Sequence, residues 1–190
     1  TYRDYADASL EQIFRTDLSN IPSKEINTLE SMIFINTGNG FRPIPLPDEA
    51  QFAPAMGAVV ADYNNDGNED LFISQNLFDV PILVPRQDAG RGLLLLGDGD
   101  ASFQPVSGNS SGLKIYGQQK GAAAADINGD GKTDLAVSQN DGPTKLYLNE
   151  TAKQGIRIQL VGPEDNRSAL GSGIRLVYES GEKGPRREIQ

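Results

Sequence analysis

The nine residues Asp62-Tyr63-Asn64-Asn65-Asp66-Gly67-Asn68-Glu69-Asp70 return as Asp126-Ile127-Asn128-Gly129-Asp130-Gly131-Lys132-Thr133-Asp134, offset by 64 residues at every matching position. Both copies read D-x-N-x-D-G-x-x-D. Side-chain oxygens recur at positions 1, 3, 5 and 9, and glycine stands at position 6. Hard cations such as Ca²⁺ take roughly six to eight oxygen ligands at about 2.3–2.6 Å. A tight loop meets that need when alternate side chains turn inward and glycine lets the backbone bend. The backbone C=O at position 7, of Asn68 and of Lys132, is the natural further ligand. Polar turns rich in Asp, Asn and Gly are common, but an unchanged ligand spacing in two copies favours a metal loop.

The flanking residues exclude an EF-hand, which needs a glutamate at position 12 and helices on both sides. Position 12 is Ile73 in one copy and Val137 in the other. The residues that follow, Leu71-Phe72-Ile73-Ser74 and Leu135-Ala136-Val137-Ser138, are short apolar runs with β-branched members, so strands are predicted. Small residues precede each loop, Gly57-Ala58-Val59-Val60-Ala61 and Gly121-Ala122-Ala123-Ala124-Ala125. They suit close sheet packing, although the alanine run alone is also compatible with a helix. The predicted unit is strand, metal loop, strand.

The chain has 190 residues, 26 acidic and 17 basic side chains, no His and no Cys. The missing His and Cys exclude Ser-His-Asp and Cys-His catalysis, zinc held by those residues, and disulfides. An acidic chain without a basic stripe is a poor nucleic-acid partner. No apolar run approaches the roughly 20 residues of a membrane span. Asp48, Glu49, Glu164 and Asp165 are conceivable catalytic carboxylates, but each lies in a turn-like stretch and reads as a solvated acid. The absence of Trp leaves a sugar-stacking platform poorly supplied.

Residues 1–30 read as a linker with a short helix capped by Asp7, Leu10, Ile13 and Phe14 falling on one face. The repeats occupy residues 31–150. Met32–Asn36 and Phe41–Ile44 read as a hairpin about Thr37-Gly38-Asn39-Gly40. The matching hairpin is Leu93–Leu96 with Phe103–Val106 about Gly97-Asp98-Gly99-Asp100, a plain turn rather than a metal site. A third start appears at Leu146–Asn149. Ser-Gln-Asn follows each loop, at Ser74–Asn76 and Ser138–Asn140. Sixteen residues separate Asn76 from Leu93 but only five separate Asn140 from Leu146, an eleven-residue insertion containing Leu77–Pro85. Insertions in repeats map to loops that often bind, so this apolar loop is a candidate partner contact. From Gly155 the pattern changes. Ile156–Leu160, Ile174–Tyr178 and Arg186–Gln190 read as strands. Asn109, Asn149 and Asn166 head N-x-[ST] triplets, a weak sign of glycosylation.

Taken with their flanking strands, the two acid loops resemble FG-GAP/VCBS repeats, the blades of integrin-α-type β-propellers. The resemblance implies Ca²⁺ at two sites: one held by Asp62, Asn64, Asp66, the Asn68 carbonyl and Asp70, the other by Asp126, Asn128, Asp130, the Lys132 carbonyl and Asp134. Asn166–Leu176 with Arg187-Glu188 resembles the opening of the small β domain known as ASPIC/UnbV, although Gly173 stands where an Arg is expected. The expected fold is all-β: a partial propeller of about two to three FG-GAP blades, followed over residues 151–190 by a small β-hairpin or β-sandwich-like segment. Propellers close with about four to eight blades, so the remaining blades are expected from a longer chain or a partner polypeptide. The expected function is a non-enzymatic, calcium-binding scaffold in an extracellular, periplasmic or cell-surface setting. A carbohydrate-binding or carbohydrate-active propeller, and an accessory subunit docked through Leu77–Pro85, are the alternatives.

Overall fold

A computed structural model describes residues 2–156, 158–181 and 183–188. Two five-residue helices, α1 (Tyr2–Ala6) and α2 (Leu10–Phe14), come first. The N-cap of α2 is Ser9 rather than Asp7. Ser9 and Gln12 form a reciprocal capping box, which satisfies two N-terminal N–H groups at once. Leu10 and Phe14 are exposed, so the apolar face read from the sequence is not buried.

The repeats form antiparallel sheets. β1 (Met32–Asn36) pairs with β2 (Phe41–Pro45) as a separate hairpin. β3 (Ala55–Ala61), β4 (Asp70–Gln75), β5 (Leu93–Gly97) and β6 (Phe103–Val106) form a four-stranded sheet in chain order. The helical turn α3 (Gly108–Ser111) leads to β7 (Gln118–Ala125), β8 (Asp134–Asn140) and β9 (Gly142–Tyr147), a three-stranded sheet in chain order. The alanine run is therefore strand, because β8 offers it a ladder along its whole length. Each blade begins on the strand before the acid loop and ends on the hairpin. The hairpin β1–β2 thus stands where the last two strands of a preceding blade would.

Two apolar clusters hold these sheets face to face. Leu71 and Ile73 on one side of β4 join Leu46, Ala50, Leu93 and Leu95, with Ile33 of the first hairpin against them. Phe72, on the other side of β4, joins Tyr63, Leu113, Ile115, Leu135 and Val137 between the two blades. All six β4 residues are buried as a result. The first strands of the blades touch backbone to backbone: a Cβ on Gly57 would lie 3.2 Å from the Lys120 carbonyl oxygen. Edge strands, where a ladder can spare an N–H, carry prolines: Pro43 and Pro45 of β2, Pro105 of β6 and Pro143 of β9.

The ladder places Leu93 opposite Ile73 and Lys145 opposite Val137. Lys145, not Leu146, is therefore the counterpart of Leu93, and the insertion is twelve residues. Its base is pinned by the Leu77–Gln87 bridge and by Asn76, whose amide donates to the Gly90 and Gly117 carbonyls. Asp79 reaches the second blade, accepting from the amides of Gln118 and Asn140. Ile82, at the tip, is fully exposed.

The described residues of Ile156–Leu160 join no ladder. β10 (Gly173–Val177) and β11 (Lys183–Glu188) form the final hairpin. Ile189 and Gln190, the end of the last expected strand, lie outside the described residues. The hairpin rests on the first acid loop: Arg187 pairs with Glu69, and a Cβ on Gly67 would meet the Tyr178 hydroxyl at 2.6 Å.

Phe72→Ala opens a cavity in the layer between the blades and is expected to cost about 3–5 kcal/mol in denaturant unfolding. Ile82→Ala on the exposed loop tip should stay within about 0.5 kcal/mol of the parent.

Candidate metal centre

Each acid loop joins the first two strands of its blade. In both, positions 4 and 6 take left-handed backbone: Asn65 (φ +55°) and Gly67 (φ +96°) in the first loop, Gly129 (φ +78°) and Gly131 (φ +80°) in the second. Asn and Gly are the residues that occupy this region most readily. Two left-handed residues spaced by one curl the loop so that the side chains at positions 1, 3 and 5 gather on its inner side.

The hydrogen bonds repeat between loops. Asp62 Oδ1 and Asn64 Oδ1 both accept from the Asp66 N–H, at 3.1 and 3.0 Å, and Asp62 Oδ2 accepts from Gly67 at 2.9 Å. Asp126 Oδ1 and Asn128 Oδ1 both accept from the Asp130 N–H at 3.0 Å, and Asp126 Oδ2 accepts from Gly131 at 3.0 Å. Asp66 accepts from the Asn68 N–H and Asp130 from the Lys132 N–H. The side chains at position 7 point away. Lys132 Nζ donates to the Glu150 carbonyl, and the Asn68 amide lies beside Gly99.

Position 9 is built differently. Asp70 is wholly buried and accepts from two backbone groups, Tyr63 at 2.7 Å and Gly97 at 2.9 Å. Asp134 does the same with Ile127 at 2.9 Å and Asn149 at 2.8 Å. Each carboxylate staples the entrance of its loop to the end of the third strand. Burial pushes the Asp70 carboxyl above its ordinary value, the two backbone bonds pull it back, and the charges of Asp62 and Asp66 push it up further. Asp98, in the β5–β6 turn, is pulled down instead, to about 2, first by the Ser102 hydroxyl.

Among the described residues no three His, Cys, Asp or Glu side chains form a metal cluster by themselves. The donor set is nevertheless the kind a hard cation takes. It is all oxygen, the side chains at positions 1 and 3 share the position-5 backbone N–H, and each carboxylate oxygen keeps acceptor capacity beyond the bonds described. By the chemistry of their donors the residues fit a hard cation such as calcium, with Asp62, Asn64 and Asp66, or Asp126, Asn128 and Asp130, linked by hydrogen bonds within each loop. Asp70 and Asp134 stand at the loop exits.

Residues 121–149 match the FG-GAP repeat. They contain an FG-GAP repeat spanning most of β7, the second loop, β8 and β9. The same loop hydrogen bonds and the same staple recur 64 residues earlier, which extends the repeat's structure to the first blade. The chain is also similar to Cartilage acidic protein 1 of Xenopus tropicalis, 27% identical over 127 residues, which is 67% of this chain and 18% of that protein. The aligned part is thus less than a fifth of that relative's length.

Two features escaped the sequence. The first is the staple: position 9 looks like any other ligand until its two backbone donors are seen. The second is a pair of amides, Asn65 and Asn149, that run between the loops. The only sequence sign of the first of these is Asn at position 4 where the second copy has Gly.

Asp134→Ala leaves the Ile127 and Asn149 N–H groups without their buried acceptor. With a chelator present throughout, it is expected to destabilise the chain by about 2–4 kcal/mol in urea unfolding. A loss that appears only in the presence of calcium would assign Asp134 to the ion instead of the fold.

Proposed function

We propose that this chain is a calcium-stabilised section of an FG-GAP β-propeller that acts outside the cytoplasm as a non-enzymatic, protein-binding scaffold. The observation that carries the reading is the duplicated loop. Two loops 64 residues apart share ligand types, left-handed positions and hydrogen bonds. Each gathers carboxylates that repel one another at neutral pH, and a divalent cation offsets that repulsion. Loops of modest affinity fill where calcium is near millimolar, outside the cytoplasm. The similarity to a protein named as acidic and of cartilage agrees with that setting, and this chain carries a net charge of −9.

The scaffold role rests on the open sides of the array. Tyr63, at position 2 of the first loop, is buried between the blades, whereas Ile127, at the same position of the second loop, is half exposed. A following blade would cover Ile127 as the second blade covers Tyr63. We assign that blade, and the strands that precede β1, to further polypeptide of the same longer protein. The Leu77–Pro85 loop, anchored by Asp79 and apolar at its tip, is the proposed contact for a separate protein partner. We read residues 155–190, with their ASPIC/UnbV-like Asn166–Leu176, as the start of a second β unit that leans on the first loop. Of the three glycosylation triplets, Asn149 and Asn166 spend their amides on internal bonds, leaving Asn109 as the exposed acceptor.

Calcium that binds only the folded chain stabilises it by about 2.7 kcal/mol per site at a hundredfold excess over Kd. Chelation is therefore expected to lower the melting temperature by several degrees, and calorimetric titration should count two sites. Asp66→Ala and Asp130→Ala should each remove one. A melt unchanged by chelator, together with no uptake of calcium, would reject the reading.

A further inference from the structure

The two acid loops are held to each other by two side-chain amides. Asn65, at position 4 of the first loop, donates from Nδ2 to the Gly131 carbonyl of the second loop at 3.3 Å, and also to the Lys153 carbonyl. Asn149, just past β9, donates from its single amide group to the Tyr63 carbonyl of the first loop at 2.7 Å and to the Thr133 carbonyl of the second at 3.1 Å. Its own backbone N–H is the one that Asp134 holds.

These contacts fall on particular peptide groups. Gly131 and Thr133 flank Lys132, whose carbonyl is the position-7 ligand of the second loop. Tyr63 is the residue whose N–H is stapled by Asp70 in the first loop. The side chains thus grip the backbone on both sides of one ligand and at the entrance of the other loop. They do not occupy ligand positions themselves.

We propose that Asn65 and Asn149 are positioning residues that couple the loops, so that a divalent cation in one raises the affinity of the other; this rests on the calcium reading above. A cation in the first loop fixes the backbone from Asp62 to Asp70, and with it the Asn65 side chain and the Tyr63 carbonyl. Both then hold the Gly131–Thr133 segment in place. Part of the ordering that the second loop must undergo on binding has already occurred, and ordering shared between sites is positive cooperativity. The same factor acts in the reverse direction, because coupling between binding equilibria is reciprocal. The sequence difference at position 4 supports the assignment. Both loops need a left-handed residue there, which Gly supplies in the second loop. The first uses Asn, the residue that tolerates this backbone and also carries an amide long enough to cross.

The test is a calorimetric Ca²⁺ titration of the 190-residue chain beside Asp66→Ala and Asp130→Ala, each of which leaves one working loop. The overall two-site constant of the parent is expected to exceed the product of the two single-loop constants by at least about fivefold. Asn65→Gly, which gives the first loop the residue the second already has, should lower that ratio when placed in all three chains. Adding Asn149→Ser should bring it to one. A general loss of stability would raise that ratio rather than lower it, because each ion would then also favour the folded chain to which the other binds. A ratio of one in the parent, or a ratio unmoved by both substitutions, overturns the coupling while leaving calcium binding intact. No calcium uptake by a chain with a β circular dichroism spectrum would instead overturn the calcium reading and the coupling with it.

Discussion

A carboxylate buried in a sheet is tolerable only if its oxygens find donors, and in this chain that requirement organises the blade. Asp70 and Asp134 each accept one N–H from the start of a loop and one from the end of a third strand. Loop and third strand therefore cannot separate without leaving a buried carboxyl group short of its partners, and an unpaired buried polar group is expensive. Strand order, loop shape and the close approach of Gly97 to Glu69 all follow from this tie. A Cβ at Gly97 would stand 2.1 Å from the Glu69 carbonyl oxygen, so the third strand must end on glycine there.

The blades then stack by their faces. β4 is covered on both sides because it has a neighbour on each, the first hairpin on one and the second blade on the other. β8 has a neighbour on one side only, and its Leu135 and Val137 face that side. The insertion adds a polar tie at the end of the blades opposite the acid loops, through Asp79 and two amides of the second blade. The two blades are thus joined at the loop end by Asn65 and Asn149, in the middle by Phe72 and its neighbours, and at the far end by Asp79.

Much of this was legible in the residues. The strands that flank the repeated acid motif and the hairpin turns stand where the residues place them, because each depends on local chemistry that is visible over a few positions. The phase of the blade was not legible. A repeat read along a chain has no natural starting point, and only the apolar contacts of Leu71, Phe72 and Ile73 show where one sheet ends and the next begins. The Ile156–Leu160 alternation misled for a related reason: period two describes a side-chain pattern, whereas a strand also needs a neighbour's edge. The repeated Ser74-Gln75-Asn76 carries no visible role in the sequence. Its Asn76 binds Gly90 and Gly117, partners 14 and 41 residues away, which no local reading could reach.

The placement of proline has a consequence for how such an array lengthens. β2 and β6, the outermost strands of their sheets, each carry proline, as does β9 at the free edge of the second blade. A strand with proline makes a poor template for another strand, since it lacks an N–H to offer. Chains at high concentration are therefore discouraged from joining edge to edge into fibrils. Growth is steered to the broad faces, where small and branched side chains select a neighbour by shape.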